Sequence, residues 1–259
     1  AETAFLAGTS EFIIQQTYLE AIHHTNNETP YGNIVALNSN NSILHYTALD
    51  RMAPENPRSF LIDAGANFHG YASDITRSYS FKKDHFAELI ARMDKLMLQA
   101  ADKLKPGVNY ADIHVATYKE IGQVLIEFDL INVDIDTAVE SKIISSFFPH
   151  GLGHHLGLQT HDVGGFMADE RGTHINQPDG HPFLRCTRVI EANQVFTIEP
   201  GLYFIDSLLS DLKKSQYGAM VNWTEIENYR AFGGIRIEDN IIVHQSHNEN
   251  MTRDAEQTK

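Results

Sequence analysis

The chain has 259 residues, 42% hydrophobic and 21% charged, a balance typical of a globular protein with a sizeable core rather than of a disordered or collagen-like chain. Its 20 basic and 34 acidic residues give a formal net charge of −14, which disfavours nucleic acid and anionic membranes as partners. The single cysteine, Cys186, excludes an intrachain disulfide and the usual cysteine-based zinc sites. No apolar run reaches the roughly 20 residues of a membrane span, and the first residues lack a basic signal-peptide start, so we expect a cytoplasmic protein.

Apolar residues that recur about every 3.6 positions predict three helices, over residues 10–26, 85–104 and 110–128. Two short strands, 33–37 and 42–46, are predicted on either side of a polar turn, with His45 at a strand end. Because neither an exact repeat nor a low-complexity linker interrupts the chain, we expect one domain over residues 1–259.

Strand-type patterns dominate three further segments. Residues 59–81 predict a long hairpin that turns at 67–70, residues 188–204 predict two strands around a turn, and residues 234–243 predict a final strand. The Gly- and His-rich segment 149–162 has no helical or strand periodicity. The polar tail after residue 246 is predicted to be loosely held.

Acidic residues stand in the middle of these strand-type runs. Asp63 follows Phe-Leu-Ile, Glu199 follows Phe-Thr-Ile, and Glu238 follows Ile-Arg-Ile. A buried carboxylate is costly unless a cation accompanies it, and a divalent metal is the simplest cation to serve several carboxylates at once. The alternative for any one of these acids is an outward-facing strand position.

Asp74 strengthens the metal hypothesis, because it lies 11 residues after Asp63 across the predicted hairpin turn. That spacing can bring both carboxylates side by side on paired strands. Four carboxylates carry a charge of −4, which two divalent ions balance, so the residues favour a dinuclear site. Carboxylate-rich ligands favour Mn²⁺, with Co²⁺, Zn²⁺ and Fe²⁺ as alternatives.

Four histidines lie inside one 12-residue stretch of the Gly-rich segment: His150, His154, His155 and His161. The spacing of His150 and His154 is that of a helical His-Glu-x-x-His zinc motif, but the glycines and the missing glutamate argue against one. The residues alone leave open whether this cluster supplies one metal ligand or none. The remaining histidines, including His85, His114 and His247, are interpreted as surface residues.

Five ordered motifs give the chain a resemblance to a known family. They are LIDAG (61–65), SDITR (73–77), HGLGHHLGLQTHD (150–162), TIEPG (197–201) and RIEDN (236–240). Together they resemble the pita-bread metallopeptidases, and the segments FLRCTR (183–188) and FGGIR (232–236) resemble the prolidase, or Xaa-Pro dipeptidase, branch. The resemblance implies an α+β pita-bread fold, in which helices back a curved, mostly antiparallel sheet with pseudo-twofold halves.

The resemblance also implies roles for individual residues. The two metal ions would be held by Asp63, Asp74, His154, Glu199 and Glu238, with Asp74 and Glu238 bridging both, and a metal-bridging hydroxide would attack the peptide carbonyl. Glu199 would also shuttle the proton to the leaving proline nitrogen.

Further residues of the resemblance lie around the metals. His161 and His45 would contact substrate and the developing oxyanion, and Arg185 would bind the proline carboxylate. Arg236 and His150 would support the ligands from behind, while His155 would be a neighbour only.

The expected activity is hydrolysis of dipeptides with a C-terminal proline. Two alternatives remain open: an organophosphorus ester or fluoridate hydrolase that uses the same site, and a non-catalytic scaffold or inactive truncated domain. Members of this branch carry an additional N-terminal domain that we expect to be absent here. That domain contributes to the dimer, so a homodimer remains only a possible partner arrangement.

Overall fold

In the computed structural model, which describes residues 1–257, helices and antiparallel sheets are interleaved along the chain. The helices are α1 (Glu2–Leu6), α2 (Glu11–Ala21), α3 (His85–Ala101), α4 (Tyr110–Glu127), α5 (Ile135–Glu140), α6 (Asp206–Lys214), α7 (Trp223–Arg230) and α8 (Met251–Gln257). The strands are β1 (Ile34–Leu37), β2 (Ser59–Ala64), β3 (Asn67–Phe68), β4 (Tyr71–Ala72), β5 (Ile75–Ser80), β6 (Gln194–Ile198), β7 (Gly201–Tyr203), β8 (Gly234–Arg236), β9 (Asp239–Val243) and β10 (Asn248–Asn250). Within the described range, no helix is long and apolar enough to cross a membrane.

Two three-stranded antiparallel sheets form the two halves of the fold, in the orders β1-β2-β5 and β10-β9-β6. A bridge between Thr76 and Glu238 joins the halves, and the short β7-β8 pair lies beside this junction. The acidic motifs are all at or next to strand ends near this junction. The predicted α+β class with a mostly antiparallel sheet is confirmed.

The predicted helices α3 and α4 are confirmed within three residues at each end. Asp84 and Asn109 cap their first turns, and their apolar faces contribute to the main core together with β6 and β9. A smaller core packs α1 and α2 against β1 and β2. The first predicted helix ends at Ala21 rather than at residue 26, because His23 adopts a left-handed backbone conformation with φ of 54°.

The predicted strand over residues 42–46 is wrong. The chain there forms a 3₁₀ turn, Asn38–Ser42, followed by an irregular loop, so His45 lies on a loop instead of at a strand end. The single strand predicted over 234–243 is two strands, because the chain changes partner at Ile237: β8 pairs with β7, and β9 pairs with β6.

The predicted 59–81 hairpin is confirmed as the β2-β5 pair, but its tip forms a separate hairpin of β3 and β4. The register places Asp63 opposite Thr76, and Asp74 precedes β5 by one residue. The side-by-side pairing of the two aspartates is therefore wrong. They are diagonal neighbours across the pair, two positions apart in register, which still brings them to one face.

The tail is ordered through residue 257, contrary to the prediction. Asn250 and Arg253 both donate hydrogen bonds of 2.7 Å to the fully buried Asp239, which binds β10 and α8 to β9. The surface position predicted for His114 is also wrong, because the side chain is 1% exposed and lies 2.9 Å from His181 through its Nε2. Both errors have the same origin: hydrogen bonds formed in the tertiary structure place these residues, and local polarity carries no signal for such bonds.

Candidate metal centre

One cavity of about 920 Å³ opens at the junction of the two sheets. Every residue that the sequence proposed for the site lines it: His45, Asp63, Asp74, His150, His154, His161, Arg185, Glu199, Arg236 and Glu238. The structure therefore brings together residues that are up to 193 positions apart in the chain, and their individual roles remain predictions.

The floor of the cavity holds three groups whose ligand atoms lie within 4.8 Å of one another: Asp74, His154 and Glu238. All three side chains are buried. His154 Nε2 is 3.4 Å from an Asp74 oxygen and 3.6 Å from a Glu199 oxygen. Its Nδ1 lies 2.9 Å from the His155 carbonyl, an arrangement that places the hydrogen on Nδ1 and leaves Nε2 facing the carboxylates.

Asp63 is connected to this floor from the opposite side. Tyr31 donates to Asp63 at 2.7 Å or to Asp74 at 2.5 Å, since its single hydroxyl hydrogen is shared between the two oxygens. Arg236 donates to the other Asp63 oxygen at 2.7 Å. Tyr31 and Arg236 thus hold the two aspartates in fixed orientations.

A second chain of hydrogen bonds runs from Arg236 to His150. Arg236 donates to the Tyr203 hydroxyl at 2.8 Å, so the hydroxyl hydrogen is free to point to His150 Nε2 at 2.9 Å. His150 Nδ1 in turn contacts the Gly151 carbonyl at 2.8 Å, which assigns the hydrogen to Nδ1. Burial lowers the pKa of His150 to about 3, which keeps this ring neutral.

The electrostatics of the floor show a shortage of positive charge. Burial raises the pKa of Asp63 to about 6 against the opposing effect of Arg236, and burial raises that of Glu199 to about 7 against His154. The pKa of Glu238 is raised well above its usual value by burial and by the Asp74 charge. Asp74 keeps a lowered pKa in spite of burial, because His154 hydrogen-bonds to it.

These donors fit a divalent metal. Glu238 Oε2 accepts a 2.7 Å hydrogen bond from Thr76, but its buried Oε1 has no hydrogen-bond partner. A buried carboxylate oxygen without a hydrogen-bond donor destabilises the protein. Coordination to a metal ion, together with the neighbouring oxygen and imidazole ligands, would remove that cost. The four carboxylates, one of which has the orphaned oxygen, and the imidazole of His154 are therefore a suitable ligand set for a metal.

The wall above the floor differs in character, because His45, His161 and Arg185 are exposed side chains on loops. Partial loss of solvent at the cavity wall lowers the pKa of His161 to about 4, with a contribution from His154, and also lowers the pKa of His45. The His161 ring stands edge-on to His154 at a centroid distance of 4.4 Å. Both exposed imidazoles are thus neutral donors or acceptors beside the buried acids.

Sequence reasoning missed four residues that support the site. Tyr31, Thr76 and Asn240 hydrogen-bond to the acidic residues, and Tyr203 links Arg236 to His150. Asn240 accepts from the Asp74 amide at 3.1 Å and donates to the Asp74 carbonyl, and so fixes the backbone of that aspartate. Thr76 and Asn240 lie within the SDITR and RIEDN motifs, two residues after Asp74 and Glu238, so the motifs carried a signal for them. Tyr31 lies in a polar loop without any such signal.

Gly153 determines how closely His154 approaches β6. A Cβ at Gly153 would lie 2.2 Å from the Thr197 carbonyl oxygen and 2.5 Å from the Tyr110 hydroxyl. We expect Gly153→Ala to separate His154 from β6 and to destabilise the protein by about 1–3 kcal/mol, measured as a lower melting temperature. Gly32→Ala is the matched control, because a Cβ there meets nothing within 4 Å; equal melting temperatures for both variants would contradict the expectation.

Comparisons with known proteins identify the family of the chain. The family model for metallopeptidase family M24 matches residues 1–245. The Xaa-Pro dipeptidase of Colwellia psychrerythraea is 71% identical over 98% of this chain, and that of Shewanella loihica is 59% identical over 98%. The chain spans 57% and 58% of the lengths of these two relatives.

Solved structures show the same fold. Zinc-substituted Escherichia coli aminopeptidase P in complex with product matches 95% of this chain and 50% of its own, with a TM-score of 0.74 at 27% identity. Proline aminopeptidase P II from Yersinia pestis matches the same shares with a TM-score of 0.72 at 28% identity.

The fold and site define a metallopeptidase with the pita-bread architecture. The chain belongs to metallopeptidase family M24, whose members are hydrolases that use divalent metal ions.

Proposed function

We propose that this chain hydrolyses dipeptides with a C-terminal proline and binds two divalent metal ions, Mn²⁺ by preference. The observation that carries the proposal is the buried acidic floor with the orphaned Glu238 Oε1, beneath a cavity with ample room for a dipeptide. The cavity is also lined by Arg185, whose guanidinium has no partner among residues 1–257. The activity named for the Colwellia and Shewanella relatives supports the substrate class.

The metal ions would be held by Asp63, Asp74, His154, Glu199 and Glu238. Arg236 is the guanidinium that pairs with these carboxylates within residues 1–257. Four carboxylate charges against one guanidinium leave three negative charges, more than one divalent ion balances. Bound divalent ions would supply Lewis-acid activation of the peptide carbonyl and of the nucleophile.

The residues of the chain would handle the proton and the oxyanion. Glu199 is 18% exposed on its side chain and faces the cavity, so its carboxyl group can carry a proton to the leaving proline nitrogen. His161 and His45, neutral and open to the cavity, would donate to the carbonyl oxygen as it gains charge. His150 would orient the site through Tyr203 and Arg236 without touching the substrate.

Arg185 is suited to the substrate carboxylate. It lines the cavity, is exposed, and forms no ion pair or hydrogen bond with another described residue. We expect Arg185→Met to raise the KM for Leu-Pro by about 10- to 100-fold, because a charge-assisted hydrogen bond contributes roughly 1.5–3 kcal/mol. Steady-state kinetics would show a smaller change in kcat.

Leu-prolinamide is the matched substrate for Arg185, because it lacks the carboxylate. We expect wild type and Arg185→Met to hydrolyse it at similar low rates. A variant that loses as much activity on the amide as on the dipeptide would show that Arg185 does not bind the carboxylate.

The proposal is tested by metal analysis coupled to Leu-Pro and Gly-Pro hydrolysis, with and without added Mn²⁺. Two metal ions per chain and dipeptide turnover are the expected result. Metal binding without turnover would favour the scaffold hypothesis, and strong phosphofluoridate turnover without dipeptide turnover would favour the organophosphorus hypothesis. The homodimer and the cytoplasmic location stay predictions.

A further inference from the structure

Glu11 is a buried carboxylate that the proposed reaction does not use. It is the first residue of α2, is 1% exposed, and lies in the half of the fold built on β1 and β2. Among residues 1–257, no basic side chain forms an ion pair with it. A buried carboxylate in this situation requires several hydrogen-bond donors.

Four donors satisfy it: two lie within the segment 38–49, and the other two flank that segment. Oε1 accepts from the Leu37 amide and from the Asn40 side chain, both at 2.8 Å. Oε2 accepts from the Tyr46 hydroxyl and from the Asp50 amide, both at 2.7 Å. Glu11 therefore contacts both ends and the middle of the segment between these donors.

That segment, residues 38–49, is called the His45 loop here. It contains a 3₁₀ turn and otherwise no regular structure. Leu44, His45 and Thr47 of the loop line the cavity. Tyr46, 7% exposed, lies between two of these residues and points its hydroxyl to Glu11.

We propose that Glu11 is a positioning residue for His45. Because its four hydrogen bonds close the ends of the loop and fix Tyr46, they determine where the neighbouring His45 imidazole stands above the acidic floor. The inference rests on the proposed function in one respect: His45 must contribute to hydrolysis for its displacement to lower the rate.

A glutamine cannot replace Glu11 without loss. Each carboxylate oxygen of Glu11 accepts from one backbone amide, Leu37 at Oε1 and Asp50 at Oε2. In Glu11→Gln, either orientation of the side-chain amide turns its NH₂ group toward one of these two N–H groups. One end of the loop is then released, although the volume of the side chain is unchanged.

Kinetics of four proteins test the proposal: wild type, Glu11→Gln, His45→Ala and the double variant. We expect Glu11→Gln to lower kcat/KM for Leu-Pro by about 10- to 100-fold, mainly through kcat, with metal content unchanged. In the His45→Ala background the same substitution should cost less than about threefold, because its effect passes through His45. Equal losses in both backgrounds would overturn the proposal.

Tyr46→Phe is a milder second variant in case Glu11→Gln folds poorly. It removes one of the four donors and should lower kcat/KM by roughly threefold, again only when His45 is present. An unchanged kcat in Tyr46→Phe and in Glu11→Gln would also overturn the proposal.

Hydrogen exchange tests the loop without any need for activity. In Glu11→Gln, the amides of residues 37–50 should exchange at least about tenfold faster while those of α3 keep their rates. Ile14→Val, in the core one turn further along α2, is the matched control and should leave the loop amides unchanged. Inactive wild type with a Glu11-dependent loop would refute the proposed function alone, whereas unchanged exchange in Glu11→Gln would refute the positioning role.

Discussion

Replacing Asp74 by asparagine is expected to abolish metal-dependent hydrolysis. Asp74 lies at the centre of the acidic floor: His154 Nε2 is 3.4 Å from it, Tyr31 donates to it, and its carboxylate stays ionised in spite of burial. The substitution preserves the shape of the side chain but removes one of the negative charges around the metal position. We expect the metal content to fall below one ion per chain and kcat/KM to fall at least about 1,000-fold.

The same variant separates binding from folding. A ligand at 1,000 times its Kd stabilises the folded state by about 4 kcal/mol, so Mn²⁺ should raise the melting temperature of wild type by roughly 8–16 °C and that of Asp74→Asn by much less. Asp112→Asn, an exposed position on α4, is the matched control and should behave as wild type. Two metal ions per chain and full turnover in Asp74→Asn would refute the assigned ligand set.

Arg236 is expected to have the largest effect on stability. It is 4% exposed and donates to Asp63 and to the Tyr203 hydroxyl. Removing one member of a buried ion pair costs roughly 3–5 kcal/mol, because the other charge remains buried without a partner. Arg236→Met should therefore lower the melting temperature of the metal-free protein by about 6–20 °C.

Metal ions should reduce this loss, because they replace the missing positive charge beside Asp63. The difference between wild type and Arg236→Met is thus expected to be smaller in saturating Mn²⁺ than in chelator. Arg236→Lys keeps the charge but cannot donate to Asp63 and Tyr203 at the same time. Its melting temperature should lie between those of wild type and Arg236→Met. If wild type and Arg236→Met melt at the same temperature without metal, the ion pair has no role in stability.

The sequence identified the acids of the site because their chemical context is local. Asp63, Glu199 and Glu238 each interrupt a run of strand-forming residues, and that conflict between burial and charge is visible without any fold. The helices α3 and α4 were predictable for a related reason, since their apolar spacing repeats over four or more turns.

Partners that lie far along the chain were beyond the reach of the sequence. Tyr31 joins Asp63 and Asp74 from 32 and 43 positions away, and Glu11 holds the His45 loop across up to 39 positions. The tail was judged loose from its polarity, but Arg253 binds Asp94, 159 positions away, as well as the buried Asp239. Only the folded arrangement shows such contacts, because a hydrogen bond between distant residues leaves no periodic pattern along the chain.

The sequence by itself thus indicated the chemistry of this protein: an acid-rich metal site on a mixed α and β fold, with a histidine ligand implied only by the resemblance to a family. The tertiary structure alone decided the geometry: the diagonal register of Asp63 and Asp74, the loop position of His45, and the burial of His114. The physical reason is that residue type and local spacing specify what a side chain can do. Its orientation depends on strand register and on hydrogen bonds formed when the two sheets meet.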